Sequence, residues 1–314
     1  MGEFFGVPGK KLQRQYKNHL SQYHDWEQKS HAQKWLLYPH NIGPFLSIDE
    51  TALSQGELYT IITNKEAKGK KGALVGIFKG TRAEPIIDQL LKLPSSIRSK
   101  VQEITLDMAH SMKHISKTCF PKAIQVTDRF HVQKLAIEAL QELRIKYRWE
   151  AIDQENEQIK QAKSTSKGFT PSLLPNGDSK KQLLARSRYL LYKSKDKWTN
   201  SQKERAAILF TEYPEIEKAY RLVNNLRNIF NQTKDKGVAF TKLAHWYKEV
   251  EESGFKSFNT VANSIYLNYH SILNYFTNRS TNASAESFNA KIKAFRAQLR
   301  GVRKTEFFLY RLEK

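Results

Sequence analysis

Apolar residues along this chain follow two different spacings, and the change falls close to residue 128. Between residues 44 and 128 they form short runs rich in β-branched and aromatic side chains, separated by turn residues such as Ser54-Gln55-Gly56 and Gly69–Gly72. Runs of this kind predict β-strands joined by hairpin-type loops. The five predicted strands are Pro44–Ile48, Leu58–Thr63, Ala73–Lys79, Val101–Leu106 and Ala123–Thr127.

Helical spacing marks the connections between these strands and most of the remaining chain. Helices are predicted at Lys11–Leu20, Trp26–Leu37, Arg82–Leu93 and Ala109–Cys119. After residue 128 the predicted helices are Phe130–Lys163, Lys180–Lys193, Ser201–Thr211, Glu215–Gln232, Gly237–Glu252 and Asn259–Phe276. A last helix is predicted to begin after Asn282 or Ser284, since either residue type caps a helix well.

The predicted order β-β-β-α-β-α-β is that of an RNase H-like domain. We therefore predict an α/β fold with a mixed five-stranded sheet and a large all-α insertion before the last helix. The expected organisation is a basic N-terminal helical segment (1–40), the first part of the core (41–131), the insertion (132–276) and the last part of the core (277–314).

The charge of the chain favours a polyanionic partner. Lys and Arg number 52 against 31 Asp and Glu, which gives a net charge of +21. Neutralising the phosphates of a nucleic acid releases condensed counterions and favours binding. An anionic membrane is the rival partner, but the basic residues are spread along the chain instead of forming one amphipathic anchor.

Other features of the composition exclude several classes of protein. Cys119 is the only cysteine, so the chain has no internal disulfide and no multi-cysteine zinc site. No apolar run approaches the roughly 18 residues that cross a bilayer, and the first residues resemble no signal peptide. A cytoplasmic protein is the expectation.

Two aspartates come directly after predicted strands: Asp49 follows the first and Asp107 follows the fourth. Acidic residues at such positions often only begin a turn or cap a helix. If the two strands are parallel neighbours, however, both carboxylates emerge at the same edge of the sheet, where open α/β sheets place their ligands.

A third carboxylate, Glu286, lies in the first turn of the last predicted helix. Asn289 and Lys293 share its face of the helix at i+3 and i+7. Further along come Arg296, Arg300 and Arg303, which are candidate phosphate-binding groups. Three carboxylates suit Mg²⁺, a hard cation that takes oxygen ligands, and two such ions about 4 Å apart support phosphodiester hydrolysis.

Four segments carrying these residues resemble one known family. The strings SIDETALSQGELYTIITN, EITLDMAHSM, VTDRFHVQKLA and NASAESFNAKIKAFRAQLRG are together similar to bacterial insertion-sequence transposases of the aspartate-aspartate-glutamate (DDE) type, in the ISL-three family. The resemblance runs from about residue 40 to the end of the chain, with the strings in the family's order.

The resemblance implies both a site and an activity. Asp49, Asp107 and Glu286 would be the catalytic metal ligands for Mg²⁺ or Mn²⁺, with two ions expected. The reaction would be hydrolysis at transposon ends followed by strand transfer into target DNA, by a homodimer bound to double-stranded DNA. Two alternatives stay open at this point: a catalytically silent DNA-binding remnant, and a structure-selective nuclease of the RNase H fold.

Three further residues are candidates for supporting roles. Asp128 and His131 match an Asp-x-x-His element of insertion-bearing transposases, but Asp128 also suits a simple helix cap with His131 packed behind it. His110, three residues after Asp107, is a candidate to face the reacting phosphate. Asn289 and Lys293, with the three arginines that follow, are expected to bind DNA.

The resemblance departs from the family before residue 44. Family members usually carry an N-terminal zinc-binding or helix-turn-helix region that reads the transposon ends, and residues 1–40 show neither pattern. We therefore expect either a separate DNA-binding companion polypeptide or a truncated copy.

Overall fold

Strand-forming residues among the first 128 positions build one six-stranded mixed sheet in the computed structural model, which describes residues 6–54, 56–166, 168–298, 302 and 304–313. The strands are β1 Trp35–Leu37, β2 Phe45–Ser54, β3 Glu57–Asn64, β4 Leu74–Lys79, β5 Glu103–Leu106 and β6 Ile124–Thr127. Their order is β1-β4-β3-β2-β5-β6. β2, β5 and β6 are parallel neighbours, and the other pairs are antiparallel.

The helices, in chain order, are α1 Gly9–Gln15, α2 Ala83–Leu90, α3 Ser95–Arg98, α4 His110–Cys119, α5 Arg129–Ser164, α6 Lys180–Arg186, α7 Asn200–Glu212, α8 Pro214–Gln232, α9 Lys236–Ser253, α10 Lys256–Leu267, α11 Tyr269–Asn278, α12 Ala283–Gln298 and α13 Thr305–Glu313. A π-helical turn, Tyr16–Leu20, follows α1. Short 3₁₀ segments lie at Pro39–Asn41, Lys65–Ala67, Leu190–Tyr192 and Lys195–Lys197. None of the described helices is long and apolar enough to cross a membrane.

The chain forms two compact units. Residues 1–128 and 280–314 make the sheet unit, whereas residues 129–279 make the helical unit. The described part of the helical unit contains α5 to α11 and no strand. The fold is therefore the predicted RNase H-like α/β fold with an all-helical insertion before the last part of the core.

Alternation of side chains along the strands gives the sheet two apolar faces. Leu46 and Ile48 of β2 pack with Ile104 and Leu106 of β5 against α2 and α4, in a cluster that includes Ile86, Ile87, Leu90, Met112 and Ile115. The opposite face is covered by α12, α13 and the N-terminal segment, through Leu53, Ile61, Phe288, Ile292, Phe307, Phe308, Tyr23 and Trp26.

The strand prediction needs two corrections. All five predicted strands are present, but the predicted helix Trp26–Leu37 is not: Trp35–Leu37 is a sixth strand, and the residues before it form turns. Its residues pair with β4 from Trp35↔Phe78 to Leu37↔Gly76. The apolar spacing of this short segment fits both structures, and pairing with a sheet edge decides between them.

Asp49 lies inside β2 and does not follow it, which is the second correction. The strand continues to Ser54 because its later residues pair with β3, for example Asp49↔Ile61 and Thr51↔Tyr59. The polar side chains after Ile48 interrupted the apolar run from which the strand end was predicted.

Three predicted helices are shorter than expected, and the one predicted as Arg82–Leu93 ends at Leu90. The segment predicted as Lys180–Lys193 is helical only to Arg186 and continues as a turn and a 3₁₀ segment. The segment predicted as Asn259–Phe276 divides into α10 and α11 at Asn268. The helices α3 and α13 were not predicted.

Candidate active site

The register of the parallel strands brings three aspartates to one level of the sheet. Ser47 of β2 pairs with Thr105 of β5, so Asp49 and Asp107 each lie two residues beyond a paired position. β6 ends with Thr127 paired to Leu106, and the backbone N–H of Asp128 donates to the Leu106 carbonyl at 2.9 Å. The conditional expectation that the first and fourth predicted strands are parallel neighbours is therefore confirmed.

Side-chain alternation also assigns these carboxylates to one face. Leu46 and Ile48 face α2 and α4, so Ser47 and Asp49 face α12. Two contacts across this interface agree with that assignment. The Ser47 hydroxyl donates to the side-chain oxygen of Asn282, and the Asn289 amide donates to Asp49.

Both carboxylate oxygens of Asp49 accept a hydrogen bond. Asn289 Nδ2 donates to Oδ2 at 2.7 Å, and the backbone N–H of Glu50 donates to Oδ1 at 2.8 Å. These two bonds orient the carboxylate against β2 and α12. The predicted DNA-binding residue Asn289 therefore contacts Asp49, and its own Oδ1 is buried without a hydrogen-bond partner in the structure.

Asp107 connects β5 to α4. Its Oδ1 accepts the backbone N–H of Ala109 at 2.8 Å, a local turn that fixes the carboxylate just before the helix begins. Burial lowers the pKa of Lys113, in the first turn of α4, while the negative charge of Asp107 acts in the opposite direction. The sequence did not single out Lys113, whose proximity depends on where α4 begins.

Glu286 is an exposed residue in the first turn of α12, where its backbone N–H donates to the Asn282 carbonyl at 2.9 Å. Within the described ranges, no three His, Cys, Asp or Glu side chains gather closely enough to hold a metal ion. The structure thus brings Asp49 and Asp107 level with each other and leaves Glu286 outside such a group. Asn289, one turn after Glu286, is the residue that joins α12 to Asp49.

A buried polar cluster lies on this α12-facing side of the sheet. Its members are Ser47, Lys65, Glu103, Thr105, Asp128 and Asn282. Five of them are buried, and the side chain of Lys65 is 16% exposed. The sequence contains a signal for this cluster, because Glu103 and Thr105 alternate with Ile104 and Leu106 in β5. All four residues of this strand are buried.

The cluster has two parts. Lys65 Nζ donates to Thr105 Oγ1 at 2.7 Å and forms an ion pair with Glu103 at 3.3 Å. Asp128 Oδ2 accepts the backbone N–H of Asn282 at 3.3 Å, directly before α12 begins. Burial lowers the pKa of Lys65, and the charges of Glu103 and Asp128 oppose that shift. Asp128, only 1% exposed, is therefore linked to the start of α12 and not to solvent.

The two histidines singled out from the sequence lie in different units. His110 is the exposed first residue of α4, with its ring 6.3 Å from that of His114. His131 is the third residue of α5, in the helical unit, where its ring meets Phe130 edge-on at 5.5 Å.

The predicted phosphate-binding residues of the last helix have different environments. Lys293 is exposed. Arg296 Nη1 donates to the backbone carbonyls of Leu53 at 3.0 Å and Ala52 at 3.4 Å, which ties α12 to β2. Arg300 and Arg303 lie outside the described residues.

An RNase H-like sheet with a helical unit inserted before a glutamate-bearing helix is the architecture expected of a DDE transposase. Comparison with known sequences identifies the family. Residues 46–312 match the family described as transposases of the DDE type, ISL3 group (ISL-three). The chain belongs to this family.

A curated relative agrees with that assignment. The chain is similar to the transposase for insertion sequence element IS1001 from Bordetella parapertussis, with 23% identity over 271 residues. The match covers 85% of this chain and 60% of that relative, so the chain spans less than two thirds of the relative's length. No solved structure matches.

Proposed function

We propose that this chain acts as a DDE transposase that hydrolyses phosphodiester bonds at the ends of a mobile element and joins the freed 3′-hydroxyl to target DNA. Family membership supports the proposal. The observation that carries it is the placement of Asp49 and Asp107 at one level of adjacent parallel strands, with α12 held against Asp49 by Asn289.

Asp49, Asp107 and Glu286 are the proposed ligands for divalent metal, Mg²⁺ or Mn²⁺, with two ions. The donor set fits, since these cations prefer carboxylate oxygens and retain several waters. Bound metal would supply an activated water and stabilise the leaving oxygen. The Glu50 N–H and the Asn289 amide orient the Asp49 carboxylate.

The same geometry suggests a positioning role for Asp128. Its carboxylate is buried and accepts the N–H of Asn282, so it holds the residue from which α12 starts. Glu286 lies one turn into that helix, and a change at Asp128 would therefore act on the site through Glu286. Direct roles for His110 and His131 stay predictions.

Duplex DNA is the proposed partner, bound by a homodimer when two element ends are paired. The sheet unit would perform the chemistry, while the helical unit would be an insertion that contacts DNA. The similar Bordetella parapertussis protein is named as the transposase of an insertion sequence. A companion polypeptide that reads the element ends also belongs to this proposal.

The test uses single Ala variants of Asp49, Asp107 and Glu286. Each variant is assayed for Mg²⁺-dependent cleavage of a plasmid carrying the sequences that flank the gene, and for DNA affinity in EDTA. The matched control is Asp88→Ala, which removes an exposed carboxylate from α2 on the opposite face of the sheet.

Cleavage should be lost in the three variants and kept in the control, with DNA affinity unchanged throughout. Affinity should survive because it comes from the 52 basic residues of the chain. Cleavage by any of the three variants at the wild-type rate would remove that residue from the ligand set. A wild-type chain that binds DNA and Mn²⁺ without cutting would favour the silent remnant.

A further inference from the structure

The lysines and arginines of α5 have different surroundings. Three lysines of this helix form ion pairs with glutamates three or four residues away: Lys134–Glu138, Lys146–Glu150 and Lys160–Glu157. In the described part of the chain, no carboxylate forms an ion pair with Arg144 or Arg148. The positive charge of α5 is therefore compensated by glutamates at three of its lysines, whereas Arg144 and Arg148 have no such partner.

Arg144 is a buried guanidinium held by neutral groups. It is 5% exposed, and it donates from Nε to Gln141 Oε1 at 2.7 Å and from Nη1 to the Leu184 carbonyl at 2.9 Å. Gln141 in turn donates to the backbone carbonyl of Arg188 at 3.2 Å, in the turn after α6. Through Gln141, these hydrogen bonds hold the backbone of Arg188 close to Arg144.

The guanidiniums of Arg148 and Arg188 both repel that of Arg144. Burial lowers the pKa of Arg144, and the charges of Arg148 and Arg188 lower it further. Arginine nevertheless stays protonated in proteins. Like charges one helical turn apart destabilise a helix, so the fold holds this arrangement at a cost that a bound anion would remove.

An exposed aromatic ring completes the surface. The Arg188 guanidinium lies 5.4 Å from the centroid of the Tyr189 ring, and Tyr189 is 68% exposed. Stacking on a ring restricts a guanidinium without using its N–H donors. Arg188 and Arg148 are both exposed, so their donors remain accessible to a ligand.

We propose that Arg144, Arg148, Arg188 and Tyr189, here called the arginine patch, bind the phosphodiester backbone of duplex DNA through the helical unit. Arginine matches phosphate geometry because its planar fork donates two parallel hydrogen bonds. The exposed Arg148 and Arg188 contact the phosphates, whereas the buried Arg144 adds positive electrostatic potential to the patch. The choice of DNA over an acidic protein rests on the proposed function.

The experiment measures binding of a 30-base-pair duplex in EDTA across a salt series. Arg148→Ala and Arg188→Ala are combined, and Arg144 is kept because it is buried. The slope of log affinity against log salt should fall by about 0.9 for each lost phosphate contact. Loss of both contacts would lower the magnitude of the slope by about 1.8, so the ratio of wild-type to variant affinity should be roughly 60-fold larger at 0.1 M salt than at 1 M.

The matched control is Lys146→Ala with Lys160→Ala, which removes the same charge from the same helix at residues that already have glutamate partners. Its slope should equal that of the wild type. A second variant, Arg148→Lys with Arg188→Lys, should keep the slope and lose affinity, because charge is retained and the planar fork is lost.

Three results would overturn the proposal. Equal slopes in the arginine double variant and the wild type would show that the patch does not contact DNA and would favour an acidic protein partner. Equal losses of DNA affinity in the two Ala double variants, at the arginines and at the lysines, would show that only net charge matters. Full affinity in the variant that carries Arg148→Lys and Arg188→Lys would exclude bidentate contacts. Binding in EDTA does not depend on the metal ligands, so Asp49→Ala should keep the wild-type slope even if the proposed chemistry is wrong.

Discussion

Replacing Asp128 separates its proposed positioning role from a general effect on stability. Asp128→Ala removes a charged acceptor. The buried N–H of Asn282 then loses its hydrogen bond to the Asp128 carboxylate. Hydrogen bonds to charged groups contribute about 1.5–3 kcal/mol. We therefore expect the free energy of unfolding to fall by about 2–3 kcal/mol, which a domain with about 5–15 kcal/mol tolerates.

Asp128→Asn should lower the free energy of unfolding less than Asp128→Ala does. The amide oxygen still accepts the N–H of Asn282, but the negative charge that acts on Lys65 is gone. Lys65 keeps its ion pair with Glu103. The expected loss is therefore about 1 kcal/mol, the difference between a hydrogen bond to a charged acceptor and one to a neutral acceptor.

Two assays distinguish these expectations. Urea unfolding gives the loss of stability, and cleavage rates across a Mg²⁺ series give the half-saturating Mg²⁺ concentration. Outer groups that orient metal ligands typically contribute 10–100-fold to metal affinity or activity. Asp128→Ala should therefore raise the half-saturating concentration by at least about 10-fold, with DNA affinity unchanged and Asp128→Asn intermediate.

Arg98→Ala is the matched control. Arg98 donates to the backbone carbonyls of Leu93 at 3.1 Å and Cys119 at 2.8 Å, on the sheet face opposite α12. Its loss should destabilise the sheet unit by a similar amount without changing the Mg²⁺ dependence. If Asp128→Ala retained the wild-type Mg²⁺ dependence, or if Arg98→Ala shifted it equally, the positioning argument would be refuted.

Three other predictions follow from contacts in the sheet unit. Asn289→Ala should lower the cleavage rate about 10-fold or more with little loss of DNA affinity, since its amide orients Asp49; equal losses of both would contradict this. Ile48→Ala, at a fully buried position, should cost about 2–5 kcal/mol in urea unfolding, and a smaller cost would show that the core relaxes. Burial raises the pKa of the Cys119 thiol from 9.0 to about 11. Since the folded state then retains the proton, this contribution to stability is complete below pH 9 and is lost between pH 9 and about pH 11. Cys119→Ala should show a weaker loss of stability than the wild type across that window, and parallel curves would contradict the assignment.

Strand positions were predictable because the sheet specifies them locally. Runs such as Leu58–Thr63 have the residue types and flanking turns of a strand, and they became β3 with one residue added at each end. The first strand shows the limit of this signal. Asp49, Glu50 and Thr51 interrupt the apolar run, but β3 holds them in the sheet through pairs such as Asp49↔Ile61. Backbone pairing with a neighbour extended the strand beyond its apolar residues.

Contacts of α12 could not be predicted in the same way. The face shared by Glu286, Asn289 and Lys293 follows from helical spacing, but which of them meets the sheet depends on where the helix docks. The amide of Asn289 donates to Asp49, a contact that the sequence did not predict, and its expected role in DNA binding stays a prediction. Asn282 and Asp128, which lie 154 residues apart, have no local signal for their hydrogen bond.

That hydrogen bond also explains how an RNase H-like core accepts an insertion of this size. The helical unit leaves the sheet unit after Asp128 and returns at Ser280. Two residues after the return, the N–H of Asn282 donates to the Asp128 carboxylate at 3.3 Å. The two ends of the insertion are therefore neighbours within the sheet unit, and the core would need only a short connection if the insertion were absent. Domains whose termini lie close together are tolerated as insertions, and lengthening a surface connection costs little free energy. The spacing between Asp107 and Glu286 can consequently grow to 179 residues while β6 and the start of α12 stay in contact.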